Sequence, residues 1–209
     1  DTRKLTRLTQ AYSDVEKDFR RALSNDETQW CVVPLPSVPW AKRVTGITDG
    51  DTALKSLWDH LAVILRLDRE HPGDFWRQHG RDLAKRADGL TKLRIRSLRF
   101  QTAGTDLTIG LSDRAIWKGG NAQAPDGREF LPNIPTEEVF TTPDYRSVHG
   151  TVRVTRPAIV MQSIVEGAWF EFENGRVVRH GAERGKHALD AYLDIDSGTR
   201  SVGEIALVD

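Results

Sequence analysis

Cysteine occurs once in 209 residues, at Cys31. An internal disulfide framework and a paired-cysteine zinc site are therefore excluded. No apolar run is longer than Leu61-Ala62-Val63-Ile64-Leu65, far short of the ~20 residues that a membrane-crossing helix needs. Charge of one sign is missing as well, since 30 basic residues face 30 acidic ones. That balance argues against a nucleic-acid track or a membrane-surface protein. Catalytic signatures are equally scarce. There is no His-Glu-x-x-His, no Gly-x-x-x-x-Gly-Lys-Ser/Thr loop and no Gly-x-Ser-x-Gly elbow, so zincin, P-loop and serine-hydrolase chemistry have no foothold. The chain opens on a charged, amphipathic segment rather than a basic-then-apolar leader, and a reducing cytoplasm is the expected compartment.

What is present is an ordinary folded composition, with 38% hydrophobic and 29% charged residues. The neutrality hides an asymmetry. Residues 1–100 carry 19 Lys and Arg against 14 Asp and Glu, whereas residues 101–209 carry 11 against 16. A basic half followed by an acidic half suggests two regions with different tasks, the acidic one suited to cations.

Periodicity divides the chain the same way. Leu5, Leu8, Tyr12, Val15, Phe19 and Leu23 recur at helical spacing and predict a first helix ending near Asn25. Trp30–Val33 reads as a short buried strand emptying into a loop at Pro34, Pro36 and Pro39, with Cys31 a small buried hydrophobe. Asp51-Thr52 would cap a second helix with Leu54, Leu57, Trp58, Leu61, Ile64 and Leu65 on its apolar face. A third runs from Pro72 to Ala87 and stops at Gly89. Beyond Leu90 the period becomes two. Strands are expected around Leu93–Phe100, Asp106–Leu111, Val148–Thr155, Ala158–Val165, Ala168–Glu173, Arg176–Arg179 and Glu204–Val208, with Asn174-Gly175 as a hairpin turn and a helix at Ala182–Leu193.

Each candidate for chemistry has a plainer reading beside it. His71 and His79 lie near Asp68, Glu70 and Asp74, which can be drawn as a metal cluster, yet a solvated helix face explains them better. His180 and His187 flank a helix start and carry no more weight. Lys92, Arg94, Arg96 and Arg99 lack aromatic interleaving and read as the wet face of a strand. Gly119-Gly120-Asn121 is followed by no helical pattern that could cradle phosphate. The run Pro132 to Asp144 differs in kind. Thr136-Glu137-Glu138 could start a helix, but Pro132, Pro135 and Pro143 push their predecessors out of helical backbone. A short rigid loop bearing two carboxylates fits better, and rigid carboxylates are what a divalent-metal site requires.

Five stretches occur in an informative order: Gly104-Thr105-Asp106-Leu107-Thr108-Ile109-Gly110-Leu111, Trp117-x-Gly119-Gly120, Asn133 to Asp144, Phe172-Glu173-Asn174-Gly175-Arg176-Val177-Val178, and Gly203-Glu204-Ile205-Ala206-Leu207-Val208-Asp209. Together they resemble the thermophilic-type metalloaminopeptidases, the aminopeptidase T and aminopeptidase S group. The resemblance is dense from about Leu93 to Asp209 and thinner over Trp30–Arg43.

That resemblance implies a cytoplasmic, homodimeric enzyme that releases N-terminal residues from peptide substrates through a water activated by two divalent metal ions (Zn, Co, Mn or Mg). It places two metal ligands on Glu138 and Glu204 and assigns no catalytic residue. It implies a fold of α/β plus α+β type. Residues 1–89 would be the remnant of an N-terminal open-sheet α/β domain, incomplete at its start. Residues 90–209 would be the first part of a mixed-sheet catalytic domain, incomplete at its end. The remaining family ligands follow the Gly-Glu-Ile-Ala-Leu-Val strand, so the 209-residue chain is expected to be a fragment that is inactive alone and binds metal weakly or not at all. The alternative is a non-catalytic binding or assembly module built on the same scaffold. Neither nucleic acid nor membrane is expected as a partner.

Overall fold

The computed structural model describes Tyr12 and residues 15–208. Helices and antiparallel sheets share the chain, the mixed α and β class that the sequence implies. Two compact units divide it, residues 1–85 with 119–138 and residues 86–118 with 139–209.

In the first unit lie α1 (Lys17–Ser24), α2 (Val38–Thr45), α3 (Gly50–Ile64) and most of α4 (Pro72–Lys92). Leu5 and Leu8 of the expected first helix fall outside the described residues. Val15 and Phe19 are exposed. The core forms where Ala53, Leu57, Leu61 and Leu65 repeat every four residues along one stripe and meet Ala41 of α2, with Ile47, Leu54 and Ile134 packed around them. Each fully buried leucine contributes roughly 1.5–3 kcal/mol. Ile64, expected on that face, is half outside it. Trp76 of α4 is 3% exposed, and its indole N–H donates to the Leu65 carbonyl at 2.8 Å, which ties α4 to the end of α3.

Three expectations are corrected here. The cap of α3 is Asp49, not Asp51, because the Thr52 N–H, three residues on, reaches the Asp49 carboxylate at 2.9 Å and the Thr52 hydroxyl donates to it at 2.6 Å. Those two bonds hold the Asp49 carboxyl below its usual range. Helix α2 stands where the prolines suggested only loop; Pro39 is its second residue, where a missing N–H costs nothing. Trp30–Val33 is no buried strand. Only Val32 pairs, through a single parallel bridge to Asn133, and one bridge leaves the other side of the segment uncovered. Val32, Val33 and Cys31 are all exposed, so the thiol is not a buried hydrophobe.

The second unit is built on a five-stranded antiparallel sheet. Its strands are β1 (Ser97–Thr102), β2 (Thr105–Leu111), β7 (Pro143–Arg153), β10 (Trp169–Glu173) and β11 (Arg176–Gly181), in that spatial order. Leu107, Ile109 and Leu111 alternate inward along β2. Edge strand β1 carries Arg99, bonded through two nitrogens to Asp106 at 2.8 Å, and Arg96 just before it pairs with Asp113. The four basic residues are exposed but do not form one strand face as expected: Lys92 ends α4, Arg94 and Arg96 lie between the helix and β1, and only Arg99 belongs to the strand. Asn174 and Gly175 join β10 to β11 with φ of 49° and 78°, both left-handed as the primed hairpin turn demands.

Other boundaries moved. Helix α4 continues through Gly89 to Lys92 because Thr91 near its end is held from outside: its hydroxyl donates to the Ala87 carbonyl at 3.0 Å and accepts the N–H of buried Trp117 at 2.9 Å. The expected single strand at Ala158–Val165 is a hairpin, β8 (Ala158–Val160) and β9 (Ser163–Val165), turning at Met161-Gln162 with both φ positive. Helix α5 spans only Lys186–Leu193 and packs on that hairpin. Short strands follow β2: β3 (Lys118–Gly119) and the pair β4 (Ala122–Gln123) and β5 (Glu129–Phe130). A second sheet has the order β12 (Ile205–Val208), β6 (Glu138–Thr141), β3. Among the described residues no helix is long and apolar enough to cross a membrane.

Candidate metal centre

Glu138 is the first residue of β6. Val139 and Thr141 of that strand are buried and alternate with half-buried Glu138 and Phe140, so the Glu138 side chain projects from the face opposite the packed one. Thr141, 3% exposed, anchors the strand by donating its hydroxyl to the Ile116 carbonyl at 2.8 Å. Glu204 directly precedes β12, whose first residue Ile205 is buried, and is itself exposed. β6 and β12 are neighbours in one sheet. Neither the Glu138 nor the Glu204 side chain has a hydrogen-bond or ion-pair partner among the described residues. Each is an uncommitted carboxylate, a donor type that suits a divalent cation.

By donor number they do not complete a site. Among the described residues there is no group of three or more His, Cys, Asp and Glu side chains that could hold a metal. A catalytic zinc alone uses three protein ligands. No histidine completes such a group among the described residues. His60 Nδ1 lies 2.7 Å from the Ser56 carbonyl one turn earlier. His180 Nε2 lies 2.7 Å from Asp190, whose carboxyl Lys186 and His180 together hold below its usual range. His187 is exposed on α5. His71 and His79 belong to no metal-holding group among the described residues: exposed His71 has Glu70 at 3.8 Å and acts by charge on Asp74.

The arrangement that local sequence did not reveal surrounds His79. Its Nε2 lies 3.0 Å from the Thr136 carbonyl oxygen and 2.9 Å from Glu137 Oε2. A carbonyl can only accept, so this nitrogen carries the proton. Arg66, just past α3, approaches the same carboxylate at 3.8 Å. Fifty-seven residues separate His79 from Thr136, and no local pattern signals such a pair. The Glu137-Glu138 dipeptide thus divides its labour: the first carboxylate is committed to the protein and the second is free of it.

Comparison with known proteins follows the same residues. The family described as thermophilic metalloprotease (M29) matches residues 1–209. Aminopeptidase T of Thermus aquaticus is 40% identical over 202 residues, 97% of this chain and 50% of that protein. Aminopeptidase 2 of Geobacillus stearothermophilus is 35% identical over 208 residues, all of this chain and 50% of that one. The solved structure of wild-type AmpT from Thermus thermophilus aligns with a TM-score of 0.90 at 34% identity, covering 100% of this chain and 51% of that one. The chain spans about half the length of the curated relatives it matches.

Proposed function

The chain belongs to the thermophilic metalloprotease (M29) family, and on that premise we propose that it forms part of a metal-dependent aminopeptidase releasing N-terminal residues from peptides. The observation that carries the proposal is the match of the family along all 209 residues, together with relatives that are named aminopeptidases. Residues 1–89 belong to an N-terminal domain in this reading and 90–209 to the catalytic one. Glu138 and Glu204 serve as ligands. What supports that role is the lack of any other partner for either side chain among the described residues.

Two divalent ions (Zn, Co, Mn or Mg) supply the Lewis acidity for hydrolysis when bound. The chain's own contribution is charge and geometry. Glu138 is fixed at the head of a strand that Thr141 and Val139 anchor in packed surroundings, and Glu204 stands ahead of buried Ile205. In this reading the 209 residues alone are inactive. The same reading carries a homodimer at work in the cytoplasm.

The test is an assay of the intact protein with a free-amino aminoacyl anilide and its N-acetylated twin. Hydrolysis of the first only, abolished by a chelator and restored by added Zn²⁺ or Co²⁺, is the expected result. Turnover indifferent to the chelator, or equal cleavage of the blocked substrate, contradicts the proposal.

A further inference from the structure

We propose that His79 and Arg66 are positioning residues that fix the Thr136-Glu137 segment and so set where Glu138 presents its carboxylate. The inference rests on the reading of Glu138 as a ligand. A loop that must hold a metal ligand to within about 0.5 Å needs its own supports, and the first unit provides them from two helices.

From α4, the His79 imidazole reaches both the Thr136 carbonyl and the Glu137 carboxylate through one nitrogen. The ring cannot swing away easily. Phe75, one turn earlier, stacks on it at 5.5 Å with an interplanar angle of 10°, and Trp76 meets it edge-on at 5.7 Å. Trp76 is in turn buried and bonded to the Leu65 carbonyl. From the end of α3, Arg66 reaches Glu137 at 3.8 Å while its guanidinium lies over the Phe75 ring at 5.6 Å. The start of the loop is pinned separately, the Val32 N–H donating to the Pro132 carbonyl at 2.7 Å and the Ile134 N–H to the Val32 carbonyl at 3.0 Å. Backbone from Pro132 to Glu137 is thus held at both ends. Glu138 follows by one peptide bond.

A surface ion pair alone would contribute little to stability. The His79 side chain, however, is only 19% exposed and touches a backbone oxygen as well as a carboxylate. Outer supports of metal ligands typically account for 10–100-fold in affinity.

The experiment is a Zn²⁺ titration of the chelator-stripped intact protein, by calorimetry, with the visible spectrum of the Co²⁺-loaded form as a second readout. His79→Ala should weaken Zn²⁺ binding by about 10–100-fold and alter the Co²⁺ spectrum. His79→Gln, whose amide N–H can still serve the Thr136 carbonyl, should recover most of the loss, which a merely destabilising substitution would not allow. Should His79→Ala fail to fold, Glu137→Ala removes the carboxylate contact of both His79 and Arg66 while sparing the Thr136 bond, and should weaken binding in the same direction by a smaller factor. Glu138→Gln separates the two claims. If it leaves Zn²⁺ affinity unchanged, the ligand reading itself is wrong. If it abolishes tight binding while His79→Ala and Glu137→Ala bind as the parent does, the ligand stands and the positioning inference is overturned. Failure of His79→Gln to restore affinity also overturns it.

Discussion

Exchanging Glu138 for glutamine in the intact protein should cut hydrolysis of aminoacyl substrates by at least about 100-fold, because loss of a ligand should cost no less than loss of its outer supports. Glu204→Gln should behave alike. Glutamine keeps the shape and removes the charge that holds a cation. Neither carboxylate has another partner among the described residues, so the melting temperature should hardly move. The neighbouring substitution Glu137→Gln is the control for position: it keeps an acceptor facing His79 and should cost activity far less. Full turnover in either the Glu138 or the Glu204 variant, measured with saturating metal, would remove that residue from the ligand set.

The largest effect on stability should come from Gly175→Ala. Gly175 has φ of 78°, and a Cβ at that position would lie 1.7 Å from the Tyr145 carbonyl oxygen and 2.6 Å from Arg146 Cα. Both obstacles are backbone of β7, so no side chain can turn aside. Left-handed backbone costs an L-residue roughly 1–2 kcal/mol, and forced overpacking typically adds about 1–3 kcal/mol. Together they predict a melting temperature lower by about 4–20 °C for a chain of this size, read by calorimetry or circular dichroism. Gly89→Ala is the instructive opposite. Gly89 sits inside α4, exposed, and a methyl group there would meet nothing within 4 Å, so alanine should stabilise by about 0.5–1 kcal/mol through helix propensity. A variant Gly175→Ala as stable as the parent would show that the hairpin turn can leave β7 without cost.

These two glycines also mark how far the sequence could be read. Asn174-Gly175 announced its hairpin because only a few residue pairs accept two successive left-handed conformations, and the signal is local. Gly89 misled for the opposite reason: a glycine after a helical run resembles a helix stop, but Thr91, bonded to Trp117 twenty-six residues on, decided where α4 ends. Cys31 misled in the same way. Four apolar residues in a row look buried until one asks what covers them, and the chain offers Val32 a single bridge. For the proposed site, the three prolines marked Glu137-Glu138 as a segment with no room for a helix, the choice of Glu138 came from the family resemblance alone, and the strand β6 that it opens was not foreseen. His79 could not be recognised at all. Its meaning lies in a contact with Thr136 and Glu137, which sequence spacing does not encode.

The most direct measurement is a diffraction experiment on crystals of the intact protein loaded with zinc, with data collected on both sides of the metal's absorption edge. Carboxylate oxygens of Glu138 and Glu204 should each be found at about 2.0–2.2 Å from a zinc ion, with His79 still against Thr136 and Glu137 and bound to no metal. Zinc sites that form while both glutamates stand well outside bonding distance would contradict the account.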